Sequence, residues 1–265
     1  MRGIIIAAGR GLRMLPMTSF SPKCLLPIGD TTLLNHTVEL LRNAGCTDIA
    51  IVTGHQAELI ERNDIVKIRN EDFANNNVLH SLLYAREFLT DDVIISYSDI
   101  WVEPEIYQTL LAASGDIVLA VDRDWKVYYQ GRNHHPLSEA ENVTLDSKGR
   151  VLKFGKHLLR ADSDDQQFCE FLGLWKMSAA GARQFVEAFD SVDQKLTKLM
   201  PFQQAKEWQK SYISDLIQEM VDSGQDIHTA IVERGWAEID TVQDYKRLPG
   251  MTDLMKMHQL KRYLK

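Results

Sequence analysis

The chain has 265 residues, of which 45% are aliphatic or aromatic and 25% charged, the balance of a soluble globular enzyme. Its formal charge of −7 argues against a general nucleic-acid-binding surface, which needs clustered basic residues, and leaves room for a local basic pocket around one anionic ligand. Cys24, Cys46 and Cys169 form no CxxC pair, so neither a disulfide framework nor a zinc ribbon is indicated and a reducing cytoplasm is the expected compartment.

Gly3 to Ala8 reads as a buried strand running into a glycine loop. The run is too short for a signal peptide, Arg10 and Arg13 follow it at once, and nowhere does the chain reach the roughly 20 apolar residues of a membrane span. Thr31 to Ala44 reads as a helix with Leu33, Leu34, Val38, Leu41 and Ala44 on one face and Gly45 as its stop. Strands follow at Asp48 to Thr53 and Ile65 to Arg69, a helix at Val78 to Phe88, a strand at Asp92 to Tyr97, a helix at Glu103 to Ala113 and a strand at Ile117 to Val121.

After Asp122 the rhythm changes. Glu141 to Leu145, Val151 to Phe154 and Glu170 to Met177 read as antiparallel strands, with Ser147-Lys148-Gly149 as a hairpin turn. Helices return at Ala179 to Phe189 and Ser214 to Ser223, then strands at Ile227 to Val232 and Ala237 to Ile239, then a basic, helix-prone tail. The absence of a Pro/Ser-rich linker or a repeat favours one α/β domain over 1–265. It would comprise a parallel nucleotide-binding half (1–122), an antiparallel acceptor half (123–250) and a C-terminal helix (251–265).

The most informative segment runs from Ala7, Ala8 and Gly9 through Arg10, Gly11 and Arg13 to Lys23. Glycines after a strand let backbone N–H groups approach phosphate oxygens, and Arg13 and Lys23 supply the charge complement of a triphosphate. No Gly-Lys-Ser/Thr closes the loop, and Met14 stands where a dinucleotide fingerprint needs its third glycine. The pattern Gly9, Gly11, Arg13, Pro16, Thr18, Pro22, Lys23 resembles the signature of the sugar-phosphate nucleotidyltransferase superfamily, whose members activate sugar 1-phosphates and phosphocholine. That resemblance implies a three-layer Rossmann-like fold with a mixed, mainly parallel central sheet. It also implies a loop that wraps the triphosphate, Arg13 on phosphates and Lys23 near the reacting phosphorus.

Two further segments extend the resemblance. Tyr97-Ser98-Asp99 ends a strand where the family places a metal-binding aspartate, and Glu238-Ile239-Asp240 through Asp244-Tyr245 resembles the segment holding the second. Mg²⁺ is thus the implied cofactor, held by Asp99 and Asp240, since this ion favours few carboxylates plus substrate phosphate oxygens. Asn77 and Ser81, in Asn75 to Leu82, resemble the pyrimidine-reading positions of cytidylyltransferases for phosphocholine, aminophosphonates and phosphoglutamine.

The segment from Asp122 to Glu141 resembles the same enzymes. There Trp125, Tyr128 and Tyr129 could wall an acceptor ammonium, with Glu139 or Glu141 as countercharge. Lys156 matches a lysine on the acceptor phosphate, and Glu170 with Gly173 matches a strand against which the acceptor lies; Trp175 and Asp215 are weaker candidates. His134-His135, lacking a spaced third ligand, reads as polar loop.

These readings converge on a CTP-dependent cytidylyltransferase acting on a small phosphate- or phosphonate-bearing acceptor, with no nucleic-acid or membrane partner and with a homodimer left open. The alternatives are a sugar-1-phosphate nucleotidyltransferase using UTP, dTTP or GTP, and a catalytically inactive nucleotide-binding subunit. Intact Arg13, Lys23, Asp99 and Asp240 argue against the last.

Overall fold

A computed structural model describes residues 1–158 and 166–248; the expected C-terminal helix at 251–265 lies outside them. The first half holds β1 (Arg2–Ala7), a two-stranded hairpin β2 (Pro27–Ile28) and β3 (Thr31–Thr32), α1 (Leu33–Asn43), β4 (Asp48–Thr53), β5 (Val66–Arg69) and α2 (Val78–Leu83). It continues with β6 (Val93–Tyr97), β7 (Ile100–Val102), α3 (Pro104–Ala112) and β8 (Ile117–Asp122). The second half holds β9 (Asn142–Leu145), β10 (Val151–Gly155), β11 (Gln167–Met177), α4 (Ala179–Asp193), α5 (Ile213–Asp222), β12 (His228–Val232) and β13 (Trp236–Glu238), followed by a helix over 242–248.

Element ends follow local chemistry. Thr32 caps α1 by accepting from the Asn35 N–H, which starts the helix two residues later than periodicity suggests. α2 is half its expected length, because after Leu83 the chain tightens into a 3-10 turn over Arg86–Phe88.

β1 is the hub. It pairs parallel with β4 and β6, and β4 pairs parallel with β5. Alternate residues of β1 feed two cores: Ile4 and Ile6 pack with α2, α4 and α5, while Ile5 and Ala7 pack with α1 and α3. Each fully buried aliphatic side chain contributes about 1.5–3 kcal/mol, so helices on both faces hold the strand ends in place.

β11 joins the two halves. Its whole length from Glu170 runs antiparallel to β8, which pairs parallel with β12. On its other edge Leu174–Met177 pair with β6, whereas Gln167–Glu170 pair with β9. The sheet therefore forks at residues 171–173, where the β8 register also shifts. A cavity opens in the fork.

Candidate active site

The cavity measures about 430 Å³ and runs from the loop after β1, past the end of β6, to the fork in β11. The loop is folded by its own side chains. Gly11 sits at φ 59°, in the left-handed region that favours glycine, and an added Cβ would meet the Thr18 methyl at 3.1 Å. Thr18 Oγ1 donates to Gly11 O at 2.8 Å, closing the turn so that it presents Arg13 and leads to Lys23.

Lys23 lies between two carboxylates from distant parts of the chain. Its Nζ donates to Asp99 Oδ2 at 2.8 Å and to Asp240 Oδ1 at 2.6 Å. Arg13 Nη2 is 2.6 Å from Asp240 Oδ2, and His135 Nε2 is 3.0 Å from the same oxygen. Burial works against the Lys23 charge, but Asp99 and Asp240 overcome it and hold the ammonium above its ordinary value. Burial likewise opposes the Asp240 charge, and Lys23, His135 and Arg13 reverse it, leaving this carboxyl well below the usual range. Glu238, partly buried beside Asp240 and repelled by it, is pushed up to about 7 even though Arg132 donates to it at 2.9 Å.

Behind this cluster, Arg132 has a fully buried side chain and makes two bonds to Asp244, at 2.7 and 3.1 Å. Asp244 in turn accepts from the Asp240 N–H at 3.2 Å and the Thr241 N–H at 2.8 Å, so Arg132 positions the strand end that carries Asp240.

Ala7, Ala8, Phe73, Asn77 and Ser81 also line the cavity. Asn77 donates its side-chain N–H to Lys210 O at 2.9 Å, and Ser81 Oγ accepts from Asn70 Nδ2 at 2.9 Å. In the fork, Gly173 sits at φ 79°, and a Cβ there would come within 2.5 Å of the Tyr97 ring. Glycine thus lets Tyr97 lie against the fork and line the cavity.

Residues 3–165 match the MobA-like NTP transferase domain. The chain belongs to that family. Over 256 residues it is 26% identical to the CTP:phosphoglutamine cytidylyltransferase of Campylobacter jejuni, covering 92% of this chain and 97% of the relative. It is 28% identical over 159 residues to the choline-phosphate cytidylyltransferase of Streptococcus pneumoniae, covering 57% of this chain and 67% of the relative. The solved structure of the CTP:phosphocholine cytidylyltransferase from Streptococcus pneumoniae superposes with a TM-score of 0.68 at 20% identity, over 95% of this chain and 98% of that one. The shared fold is the Rossmann-like nucleotidyltransferase fold with a mixed, mainly parallel sheet. Among the described residues no helix is long and apolar enough to cross a membrane.

Of the residues singled out from the sequence, Ala7, Ala8, Gly9, Arg10, Gly11, Arg13, Lys23, Asn77, Ser81, Asp99 and Asp240 all line this one cavity. So do Glu139, Lys156, Glu170 and Gly173. Trp125 and Tyr128 do not. Both are buried against Met14, Leu26 and Leu33, with Trp125 Nε1 donating to Phe168 O at 3.3 Å and Tyr128 OH to Glu238 O at 2.5 Å. The cation over Tyr128 and Tyr129 is the protein's own Arg132, at 4.7 and 5.0 Å. Trp175 is likewise core, and Asp215 caps α5 by accepting from the Tyr212 N–H at 2.8 Å.

The opposite correction applies to His135. It is buried against Asp240 instead of lying in a polar loop, and it shares a cluster with Glu238 and Asp240 whose ligand atoms lie within 4.8 Å of one another. Sequence reasoning also missed the supporting role of Arg132. Its only sequence-level signal is a lone arginine among aromatics, which a solvated residue would match equally well.

Proposed function

We propose that the chain is a cytidylyltransferase that moves CMP from CTP to a small acceptor carrying a phosphate or phosphonate. One observation carries the reading. The glycine loop, Lys23 and the Asp99–Asp240 pair line a single cavity together with Asn77, Ser81, Glu139, Lys156 and Glu170. One cavity with phosphate-binding, carboxylate and further polar groups suits a nucleotide and an acceptor held together at a reacting phosphorus.

The carboxylate pair fits a hard divalent cation. Asp99 Oδ1 is buried and has no hydrogen-bond partner among the described residues, and Asp99 and Asp240 both offer carboxylate oxygens, with His135 Nε2 3.0 Å from Asp240 as a neighbouring nitrogen. Asp99 and Asp240 would hold Mg²⁺, which when bound neutralises triphosphate charge. Lys23 and Arg13 bring further positive charge to the phosphate oxygens, and the loop N–H groups orient them. An acceptor oxygen, already anionic, attacks the α-phosphorus; the bond from that phosphorus to the β-bridging oxygen breaks and pyrophosphate leaves. No protein nucleophile or base is required, so the buried carboxylates remain ligands. Asn77 and Ser81 read the pyrimidine.

The test is pyrophosphate release across a panel of nucleotides and acceptors. CTP with phosphocholine, 2-aminoethylphosphonate or an amino-acid phosphate is expected to exceed, in kcat/KM, every nucleotide paired with glucose 1-phosphate. Preference for a hexose 1-phosphate with UTP, dTTP or GTP would replace this reading with the sugar branch.

A further inference from the structure

The two carboxylates assigned to the metal leave one end of a short ribbon. β13 pairs antiparallel with β7, with Glu238 opposite Ile100. One residue further, the Ile239 N–H donates to Asp99 O at 2.8 Å, so Asp99 and Asp240 emerge side by side. Backbone bonds alternate along an antiparallel pair. Because Ile239 bonds to Asp99, the N–H and C=O of Glu238 point away from β7, toward the other edge of β13.

Among the described residues β13 pairs with no strand but β7, and a single side chain serves that other edge. Tyr128 OH donates to Glu238 O at 2.5 Å and accepts from the Glu238 N–H at 3.1 Å. The Tyr128 ring is buried outside the cavity lining and lies between two guanidiniums, Arg132 Cζ at 4.7 Å and Arg234 Cζ at 5.1 Å from its centre. Each guanidinium is tied to a buried carboxylate. Arg132 bonds to Asp244, and Arg234 Nη1 donates at 2.5 Å to Asp122 Oδ2, which also accepts from Trp236 Nε1 at 2.7 Å. The hydroxyl therefore has a fixed position.

Arg132 acts on Asp240 from the C-terminal side, through Asp244. Tyr128 grips the chain two residues before Asp240, so the segment is held on both sides of the ligand. Mg²⁺ tolerates little departure from ideal geometry, which makes the spacing of its two carboxylates consequential. We infer that Tyr128 is a positioning residue for the metal site: its hydroxyl stands in for an edge strand on β13 and sets where Asp240 lies relative to Asp99. This rests on the carboxylate pair of the proposed function, and it gives Tyr128 a different task from the acceptor contact that the resemblance implies.

The test is Tyr128→Phe, which removes the hydroxyl and keeps the ring between its arginines. Mn²⁺ binding is followed by electron paramagnetic resonance beside a CTP analogue whose α–β bridge is a methylene and cannot be cleaved. Turnover is followed with CTP and the best acceptor of the panel above, and every measurement is made well below each variant's melting temperature. Mn²⁺ affinity is expected to fall roughly 10–100-fold, as on loss of an outer partner of a metal ligand, while acceptor KM at saturating metal stays near wild type. Replacing Tyr128 with 4-aminophenylalanine, which can still donate to Glu238 O, should restore most of that affinity. Trp125→Phe is the control: Trp125 belongs to the same aromatic cluster but bonds to Phe168 O, so its loss should lower stability and leave Mn²⁺ binding alone. A Tyr128→Phe enzyme that is less stable yet binds Mn²⁺ like wild type overturns the role. So does a raised acceptor KM with unchanged Mn²⁺ affinity, which would return Tyr128 to the acceptor. Weakened Mn²⁺ binding in a protein that transfers no CMP would keep the role and remove the transferase reading. A wild type that binds no Mn²⁺ beside the analogue, or whose binding survives Asp240→Asn, overturns the metal site and this role with it.

Discussion

The carboxylates that line the cavity manage their charge in opposite ways. Beside the glycine loop Asp240 is met by Lys23, Arg13 and His135, and its carboxyl is held low. Along the β9–β11 wall Glu141 and Glu170 have few counter-charges, and both carboxyls are held high, as is that of Glu238 beside Asp240. A saturated ion-pair cluster is a rigid mould, suited to strongly charged ligands such as a metal ion and a triphosphate. An under-compensated acid costs stability in the empty protein and regains it only when a cation arrives, so it discriminates between ligands.

The contrast can be broken most severely at Asp240. Asp240→Asn is expected to lower kcat by a factor on the order of 10³ or more, beyond the loss of one preorganised contact. Chelation of the wild type should do the same, and an active mutant or an active chelated enzyme would remove the two-aspartate site. Lys23→Ala comes next, with kcat down by roughly 10²–10³ at saturating Mg²⁺ and a smaller change in nucleotide affinity. A normal kcat with a raised KM would make Lys23 a ground-state contact only.

Along the β9–β11 wall effects should be smaller and confined to one substrate. Gly173→Ala forces a side chain into a left-handed backbone and against Tyr97. With strain of about 1–2 kcal/mol moving that wall, acceptor KM is expected to rise roughly tenfold while CTP KM stays near wild type. Equal change in both would make the fork a general scaffold. The smallest effect is on stability. The folded value of Glu141 lies above its unfolded one, so its ionisation costs stability as pH rises through that folded value. Glu141→Gln, which cannot ionise, should melt roughly 2–4 °C higher than wild type at neutral and higher pH, and the difference should shrink as pH falls. It should also bind acceptor less tightly. A mutant no more stable at any pH would show that Ser214 and Tyr97 already satisfy the carboxylate.

What the sequence determined by itself is the glycine loop and the strands that carry it. The loop from Ala7 to Lys23 is closed by its own Gly11 and Thr18 and carries its two cations within it, so its geometry is written in contiguous residues. The unbroken apolar run of β1 and the apolar stripe of α1 likewise announce a strand buried on both faces and a helix packed on one. Tertiary structure decided which way the aromatics of 125–129 face. Arg132 supplies a cation over Tyr128, and Met14, Leu26 and Leu33 receive Trp125, so those two faces are consumed inside the protein, while Tyr129 still lines the cavity. It also decided that His135 meets Asp240 and that Lys156 lies over Tyr212, pairings across 105 and 56 positions. An aromatic ring or a charged side chain has the same identity whether it faces a ligand or a neighbour. Only the packing of distant segments removes one of those options, because burial without a partner is what the fold cannot sustain.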